Sequence, residues 1–325
     1  MNISEETKVS FFDFKSSDIY DRWISSFKAY CSKFDNKAEN PSSILEFLVD
    51  LAEIYASSTL WQIYSILNKF MKVYKNINLN ECVLIRDFLK MCDKKHAPKK
   101  SFVFSRENID SYLSIDKNDE SILIKCVLVI GIHGLLRVSE LTQLQFENIK
   151  RIDSIYEVYV TKSKTDQASK GFKFYISGPD IIYIDEYLNY FSSKNKTGRL
   201  FLKIVAGEGC ARSIGKNTIS SYPKLIASKL NLEEPNSFTG HCFRRSGATI
   251  MADLGASKIL LKRAGRWKSD SVCDGYIEES KSSKLQISNL VGQNTSNQKM
   301  NDSKKETPIS TSINLDNCSG FVINL

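Results

Sequence analysis

The sequence predicts a two-domain protein, with an all-α N-terminal domain followed by a mainly α domain that contains a small antiparallel β-sheet. A chain of 325 residues is long enough for about two domains. Apolar side chains recur at helical spacing through residues 17–91, whereas residues 155–161 and 172–176 have strand patterns separated by a polar turn. We place the first domain at residues 1–98 and the second at 99–292, and we expect a disordered tail at 293–325, which is rich in Asn, Ser and Lys.

Four helices are predicted in the first domain. The first, from Ser17, has one apolar face made of Ile19, Trp23, Phe27 and Tyr30. The other three are expected to begin at Pro41 with Asn40 as the cap, at Ser57 or Ser58 as the cap, and at Asn80. A small helix bundle accounts for this pattern. The bundle would have a function beyond structure only if its solvated lysine face bound DNA.

A boundary is predicted at residues 93–101, where Pro98 stands among basic side chains. This segment would suit a phosphate backbone, and it would equally suit an ordinary solvated connector.

The second domain opens with a long apolar helix that Asn118 or Asp119 can cap, with Gly131 and Gly134 near its end. Arg137 follows directly, and Glu140 lies one turn further on. A charge held near a core requires a partner, so either Glu140 or a bound anion would serve Arg137.

Strands are predicted at 155–161 and 172–176, joined by a polar turn that carries Lys162, Lys164 and Lys170. A helix from Pro179, a short strand at 200–205 and a helix at 216–230, kinked or interrupted at Pro223, are expected to follow.

The stretch 239–280 holds the candidate site. His241 and Arg244 are three residues apart, so on one helix they share a face. The guanidinium fork of an arginine suits an oxyanion, and a nearby tyrosine can be a hydrogen-bond donor or a nucleophile. Taken alone, each of these residues, with Trp267 and Tyr276, is more often structural; their joint spacing, together with Arg137, favours a site.

Several function classes are disfavoured. The sequence contains neither a long apolar run typical of a membrane span nor a signal-peptide pattern at its start. The eight cysteines form no CxxC pair, so we expect reduced thiols, no zinc site and no other metal. Neither a glycine loop for phosphate nor a carboxylate-rich metal pattern is present, so any phosphate chemistry is expected to do without ATP or Mg²⁺. We also expect no cofactor and no small-molecule substrate. The net charge of +8 suits a polyanionic partner.

These motifs (LLRVSEL, SKT on a hairpin, HCFRRSGAT, GRW and the isolated Tyr276) resemble the tyrosine recombinase, or phage integrase, family. The resemblance covers about residues 105–290. It implies the fold of DNA breaking-rejoining enzymes, a helical core-binding (SAM-like) domain at the N-terminus, and a clamp around double-stranded DNA. Tryptophan at position 267 resembles the Cre-like branch, and the GRW and FRRSGAT wording resembles eukaryotic Crypton-type recombinases.

The resemblance also implies a role for each matched residue. It places the catalytic set at Arg137, Lys164, His241, Arg244, Trp267 and Tyr276, with Lys162 as the alternative to Lys164. The implied reaction is site-specific cleavage and rejoining of DNA through a 3′-phosphotyrosine and a Holliday junction. Type IB topoisomerase activity, or a domesticated DNA-binding protein that no longer recombines, are the alternatives.

Assembly and location complete the expectations. An amphipathic segment at 284–291 is too short to be helical alone, and it would dock either on its own domain or on a neighbouring subunit. The family implies a tetramer on paired sites. A Crypton-like origin implies a nuclear protein, and a prokaryotic integrase would work in the cytoplasm.

Overall fold

The chain divides into two compact units, Met1–Lys100 and Ser101–Leu325. The structure, a computed structural model, describes residues 17–33, 38–95, 100–115, 118–161, 171–191, 197–205 and 208–292. The division falls two residues after the boundary predicted at residue 98, and the roles assigned to the two domains stay predictions. The expected tail at 293–325, and residues 96–99 of the basic segment, lie outside the described residues.

The first unit is helical around one apolar core. Its helices are α1 (Ser17–Lys33), α2 (Pro41–Ala52), α3 (Ser57–Phe70) and α4 (Val83–Lys95), with a π-helical turn at Met71–Lys75 and a 3₁₀ turn at Leu79–Glu81. Trp23 and Phe27 are buried, as the spacing predicts, and Asn40 caps α2 by accepting from the backbone N–H of Ser43.

Two predicted helix starts in this unit are wrong. Residue Ala56 stands at the N-cap of α3 without a side-chain cap, because Ser57 is already inside the helix and buried. Asn80 lies in the 3₁₀ turn, where its side-chain oxygen accepts from the Tyr64 hydroxyl at 2.9 Å. That tertiary contact occupies Asn80, and α4 begins at Val83 instead.

The second unit is mainly helical, with two small antiparallel sheets. Its helices are α5 (Arg106–Leu113), α6 (Asp119–His133), α7 (Val138–Gln143), α8 (Ile181–Asn189), α9 (Lys216–Lys229), α10 (Cys242–Asp253), α11 (Lys258–Gly265), α12 (Asp270–Glu279) and α13 (Lys281–Gly292). The strands are β1 (Ile149–Ile152), β2 (Ile155–Val160), β3 (Phe172–Ile176), β4 (Leu202–Val205) and β5 (Glu208–Ser213).

Helix α6 is the centre of this unit. Every residue from Ser121 to Ile132 is buried, and α6 packs against α8, α10 and β4. A helix that is apolar on all sides is stable only when it is surrounded, which is the position that α6 occupies. Its one buried cation, Lys125, donates to the carbonyl oxygen of Ile115 at 2.5 Å. The predicted cap is confirmed at Asn118.

The larger sheet has the order β1-β2-β3, and the predicted hairpin of β2 and β3 is confirmed with Val160 opposite Phe172. Strands β1 and β5 were not predicted. Three of the four residues of β1 are exposed, so it lacks an alternating apolar pattern, and among the described residues β5 pairs only with β4.

Helix α9 runs without interruption through Pro223, which is buried against the core. Of the two expectations, a kink or an interruption, the interruption is therefore wrong. Packing of this face outweighs the hydrogen bond that a proline cannot donate. Within the described residues, no helix has the length and apolar character needed to cross a membrane.

Candidate active site

Arg137 is paired with Glu140 at the start of α7. The carboxylate of Glu140 accepts from the backbone N–H of Arg137 at 2.8 Å and from its Nη1 at 2.9 Å. Glu140 is 4 % exposed and the side chain of Arg137 is 30 % exposed. Of the two partners proposed for Arg137, Glu140 is therefore present. The pair still leaves guanidinium donors, since Arg137 uses one N–H of its side chain here.

A second arginine reaches the same carboxylate. Arg266 Nη2 lies 3.2 Å from Glu140 Oε2, while Arg137 occupies Oε1. In the sequence, Arg266 stands out only as part of the GRW motif. Its signal in the sequence is weak, because a single arginine beside a tryptophan has no spacing that marks it as a partner of Glu140.

Arg244 projects from α10 into the same region and is buried. Its Nη1 donates to the carbonyl oxygen of Leu135 at 2.6 Å, and its Nη2 donates to the carbonyl of Gly265. Burial, and then the positive charges of Arg137 and Arg266, lower the pKa of Arg244 to about 10, so it is still protonated at neutral pH. Arg137 and Arg266 share the Glu140 carboxylate, and Arg244 adds a third positive charge to this region. The excess of positive charge suits a phosphate.

Leu135 shapes this region through its backbone. It has a φ of 46°, in the left-handed region, at the end of α6. The Leu135 N–H donates to the carbonyl oxygen of Ile132, and the Leu136 N–H donates to the carbonyl oxygen of Gly131. These two hydrogen bonds form a Schellman motif. Glycine is the usual residue at this position, but Gly134 falls one residue too early. The left-handed turn directs the Leu135 carbonyl towards Arg244, which accounts for a strained leucine at a site of charge.

His241 stands immediately before α10, three residues from Arg244, as predicted. Partial burial of its ring, followed by the positive charges of Arg244 and Arg137, lowers the pKa of His241 below its ordinary value of 6.5. The imidazole is therefore mainly neutral at pH 7, and it can accept or pass a proton.

Trp267 and Tyr276 form a stacked pair. Their ring centroids are 5.2 Å apart at an interplanar angle of 22°. The guanidinium carbon of Arg244 lies 5.2 Å from the Trp267 ring centroid, and that of Arg245 lies 6.0 Å from the Tyr276 ring. Trp267 thus lies between the buried arginine and the tyrosine, and it connects α10 to α12.

Gly265 is required for this arrangement. A Cβ atom at position 265 would lie 2.4 Å from two carbon atoms of the Trp267 indole. Real Cβ atoms do not approach this closely, so any other residue would displace the ring.

The structure brings together Arg137, Arg244, Trp267 and Tyr276, with His241 at the same end of α10. Lys164 and its alternative Lys162 lie outside the described residues, on the connection between β2 and β3. The catalytic roles of the six residues stay predictions. No group of three or more His, Cys, Asp or Glu among the described residues could hold a metal ion.

The mainly helical second unit, with its small antiparallel sheets, matches the catalytic fold of the tyrosine recombinases. The sequence pattern of the phage integrase family matches residues 103–283, more than half of the chain. The chain belongs to the phage integrase family.

Individual relatives are more distant. The integrase/recombinase xerD homolog of Selenomonas ruminantium is 24% identical over 177 residues, which are 52% of this chain and 52% of that protein. The chain therefore spans about half the length of this relative.

Solved structures share the fold at low identity. The XerH site-specific recombinase bound to a palindromic difH substrate has a TM-score of 0.64 at 15% identity, covering 84% of this chain and 79% of that one. The Tn1549 transposon integrase in complex with a circular intermediate DNA has a TM-score of 0.57 at 14% identity, covering 89% and 95%. A lambda integrase dimer bound to a COC′ core site has a TM-score of 0.57 at 15% identity, covering 82% and 89%.

Proposed function

We propose that this protein is a site-specific DNA recombinase that cleaves and rejoins strands through a covalent 3′-phosphotyrosine and a Holliday junction. One observation carries the proposal: Arg244 contacts Trp267, Trp267 stacks on Tyr276, and Arg137 lies beside them on Glu140. Two cations and a phenol are thereby held where one phosphodiester could meet all three.

In the proposed reaction, the Tyr276 phenolate oxygen attacks the scissile phosphorus. A P–O bond to tyrosine forms as the P–O5′ bond breaks, and the leaving 5′-oxygen takes a proton. Lys164 is the proposed donor of that proton, with Lys162 as its alternative. The phosphotyrosyl ester keeps the energy of the broken linkage, so the reverse attack by a 5′-hydroxyl rejoins DNA without ATP.

The arginines are proposed to bind the two non-bridging oxygens of the phosphorane. Arg244 uses one N–H at each terminal nitrogen for backbone carbonyls, and each of these nitrogens carries a second N–H. Preorganised donors of this kind commonly supply the largest part of transition-state stabilisation. His241, kept mainly neutral, is proposed to receive and return the tyrosine proton, and the Trp267 indole N–H to hold a phosphate oxygen.

Trapping of the covalent intermediate tests the nucleophile. A nicked duplex carries a site that the protein has selected from a random DNA pool. On this duplex, the wild type should form a complex that survives denaturation in SDS, and Tyr276→Phe should form none. Tyr175→Phe, which removes an exposed phenol on β3, is the matched control and should trap normally. Trapping that persists in Tyr276→Phe would exclude this tyrosine.

Plasmid relaxation and DNA binding, measured beside covalent trapping, separate the alternative functions. Relaxation of supercoiled plasmids that lack the selected site would indicate a type IB topoisomerase. Tight binding to the selected site without any covalent complex in the wild type would indicate a domesticated DNA-binding protein.

The partner is proposed to be double-stranded DNA, bound by a monomer and assembled into a tetramer on paired sites. Helix α13 supports the assembly, since Leu285, Ile287, Leu290 and Val291 are 52–82% exposed. The helix is longer than the predicted segment and begins at Lys281. The backbone N–H of Lys281 donates to Asp253 Oδ1 at 2.6 Å. Truncation after Ser283 preserves that anchor. It should leave half-site binding nearly intact and abolish cooperative assembly; synapsis at wild-type concentration would contradict the role of α13.

The branch and the location are also proposals. The GRW and FRRSGAT segments support a Crypton-type recombinase from a transposable element, working in the nucleus. Terminal repeats or a target-site signature in the DNA that flanks the gene would support a mobile element, and imaging of the tagged protein in its host would test the location.

A further inference from the structure

We propose that Arg266 is a positioning residue that holds the β2–β3 hairpin and the Arg137–Glu140 pair against the turn that carries Trp267. The proposal rests on the recombinase function proposed above. The first observation is the backbone of Arg266, whose φ is 54°. Its N–H donates to the carbonyl of Arg263 at 3.2 Å, and that of Trp267 donates to Lys262 at 3.1 Å.

This Schellman turn ends α11, and glycine is the residue that such a turn favours. The same chain uses Gly255 at the corresponding position after α10, where φ is 79°. An arginine at position 266 therefore goes against the preference of this backbone conformation for glycine. Contacts of its guanidinium offset that unfavourable conformation.

Both terminal nitrogens of Arg266 are fully used within the protein. Nη1 donates to the carbonyl oxygens of Gly134 and Ala264, both at 3.0 Å. Nη2 donates to the carbonyl of Leu135 at 3.1 Å and to Glu140 Oε2 at 3.2 Å. Since each terminal nitrogen has two N–H groups, none is left at either for a phosphate. The remaining donor, the Nε–H, has no hydrogen-bond partner among the described residues, but it is buried. Arg266 thus differs from Arg137 and Arg244, and its action on DNA is indirect.

The flat face of the same guanidinium lies on the hairpin. Its carbon atom is 3.7 Å from the ring centroid of Phe172, the first residue of β3. Phe172 follows closely after the connection that carries Lys164. The N–H groups at the edge of the guanidinium bind the end of α6 and the Glu140 carboxylate that pairs with Arg137. Its flat face packs on Phe172, at the base of the hairpin whose connection carries Lys164. One side chain therefore joins three segments that lie far apart in the sequence.

Glu140 explains how loss of Arg266 would reach Arg137. One carboxylate oxygen is paired with each arginine. Without Arg266, Glu140 Oε2 accepts a hydrogen bond only from the backbone N–H of Arg137. The buried carboxylate is then free to rotate towards that N–H. The Arg137 guanidinium would turn with it, away from the position in which it meets a phosphate.

Arg266→Gly tests the proposal, because glycine suits the left-handed turn and the variant should fold. At saturating protein, we expect single-turnover cleavage of the selected nicked site to fall by about 100-fold, the loss typical of a misplacement near 1 Å. Half-site affinity should change by less than about threefold, because the role proposed for Arg266 involves no contact with DNA. Arg266→Lys keeps the charge but offers neither a fork nor a flat face, so it should restore little of the rate.

Arg263→Ala is the matched control, since it removes an exposed arginine from α11, three residues before Arg266, and should leave the cleavage rate unchanged. A wild-type cleavage rate in Arg266→Gly would overturn the proposal. So would a loss of affinity as large as the loss of rate, or full rescue by lysine.

Hydrogen exchange separates this proposal from the proposed function. If the wild type forms no covalent complex, the recombinase function fails, but amide exchange in the DNA-free protein still decides the role of Arg266. In Arg266→Gly, exchange should accelerate both in residues 135–140 and in Phe172–Ile176, and in Arg263→Ala in neither. Unchanged protection of both segments in Arg266→Gly would overturn the proposal.

Discussion

Gly265→Ala should displace Trp267 from its place between Arg244 and Tyr276. The added Cβ would lie 2.4 Å from two atoms of the indole. Carbon atoms in ordinary contact are about 3.5–4.0 Å apart, so the ring must move by about 1 Å. The indole cannot withdraw freely, because the Tyr276 ring stacks on it with centroids 5.2 Å apart and Arg244 lies over it.

The expected cost in stability follows from two opposing terms. Alanine in place of glycine in a helix stabilises by about 0.5–1 kcal/mol. Overpacking of a closed contact costs about 1–3 kcal/mol. The net expectation is a loss of about 1 kcal/mol, which lowers Tm by about 2–4 °C in a unit of this size. The effect on catalysis should be larger, about 100-fold in cleavage, because a shift of this size misplaces the reacting groups.

Gly275→Ala is the matched control, since Gly275 lies inside α12 and nothing is within 4 Å of the position that a Cβ atom would take there. It should raise the stability of the DNA-free protein by about 0.5–1 kcal/mol, the helix-propensity gain alone. Urea unfolding measures both variants, and single-turnover cleavage is measured for Gly265→Ala. If Gly265→Ala is as stable as Gly275→Ala and cleaves at the wild-type rate, Trp267 is not held where the structure places it.

Three further outcomes are expected. Gly247→Ala should destabilise the second unit by about 1–3 kcal/mol in urea unfolding. The new Cβ would lie 2.4 Å from the carbonyl oxygen of Ile132, a backbone atom that cannot rotate away. Unchanged stability would contradict this close crossing of α6 and α10. The His241 ring should titrate below pH 6.5 in NMR of the DNA-free protein, because burial and then the nearby positive charges lower its pKa. Its contribution to stability is therefore complete above pH 6.5 and is lost as the pH falls through the lowered pKa; a midpoint at or above 6.5 would refute these effects of burial and charge. DNA affinity should fall steeply between about 50 and 200 mM salt in a binding titration, because each neutralised phosphate releases counterions; a flat affinity would argue against a basic DNA-binding surface.

Local patterns were sufficient for much of the fold. The apolar run of α6, the cap at Asn118 and the hairpin of β2 and β3 follow from hydrophobic periodicity and capping, which act between residues close in the chain. The starts of α3 and α4 could not be predicted in this way. Ser57 is buried by the packing of its unit, and Asn80 is occupied by Tyr64, sixteen residues away in the sequence.

The candidate site shows the same division. Spacing marked His241, Arg244, Trp267 and Tyr276, with Arg137, as a candidate site, and the resemblance to the tyrosine recombinases implied their roles, which stay predictions. Only the tertiary structure revealed Arg266, whose partners Gly134, Leu135, Glu140 and Phe172 come from distant segments. It also decided that Leu135, and not glycine, takes the left-handed turn. The energy that stabilises such a conformation lies in long-range hydrogen bonds and packing, and these exist only once the chain has folded.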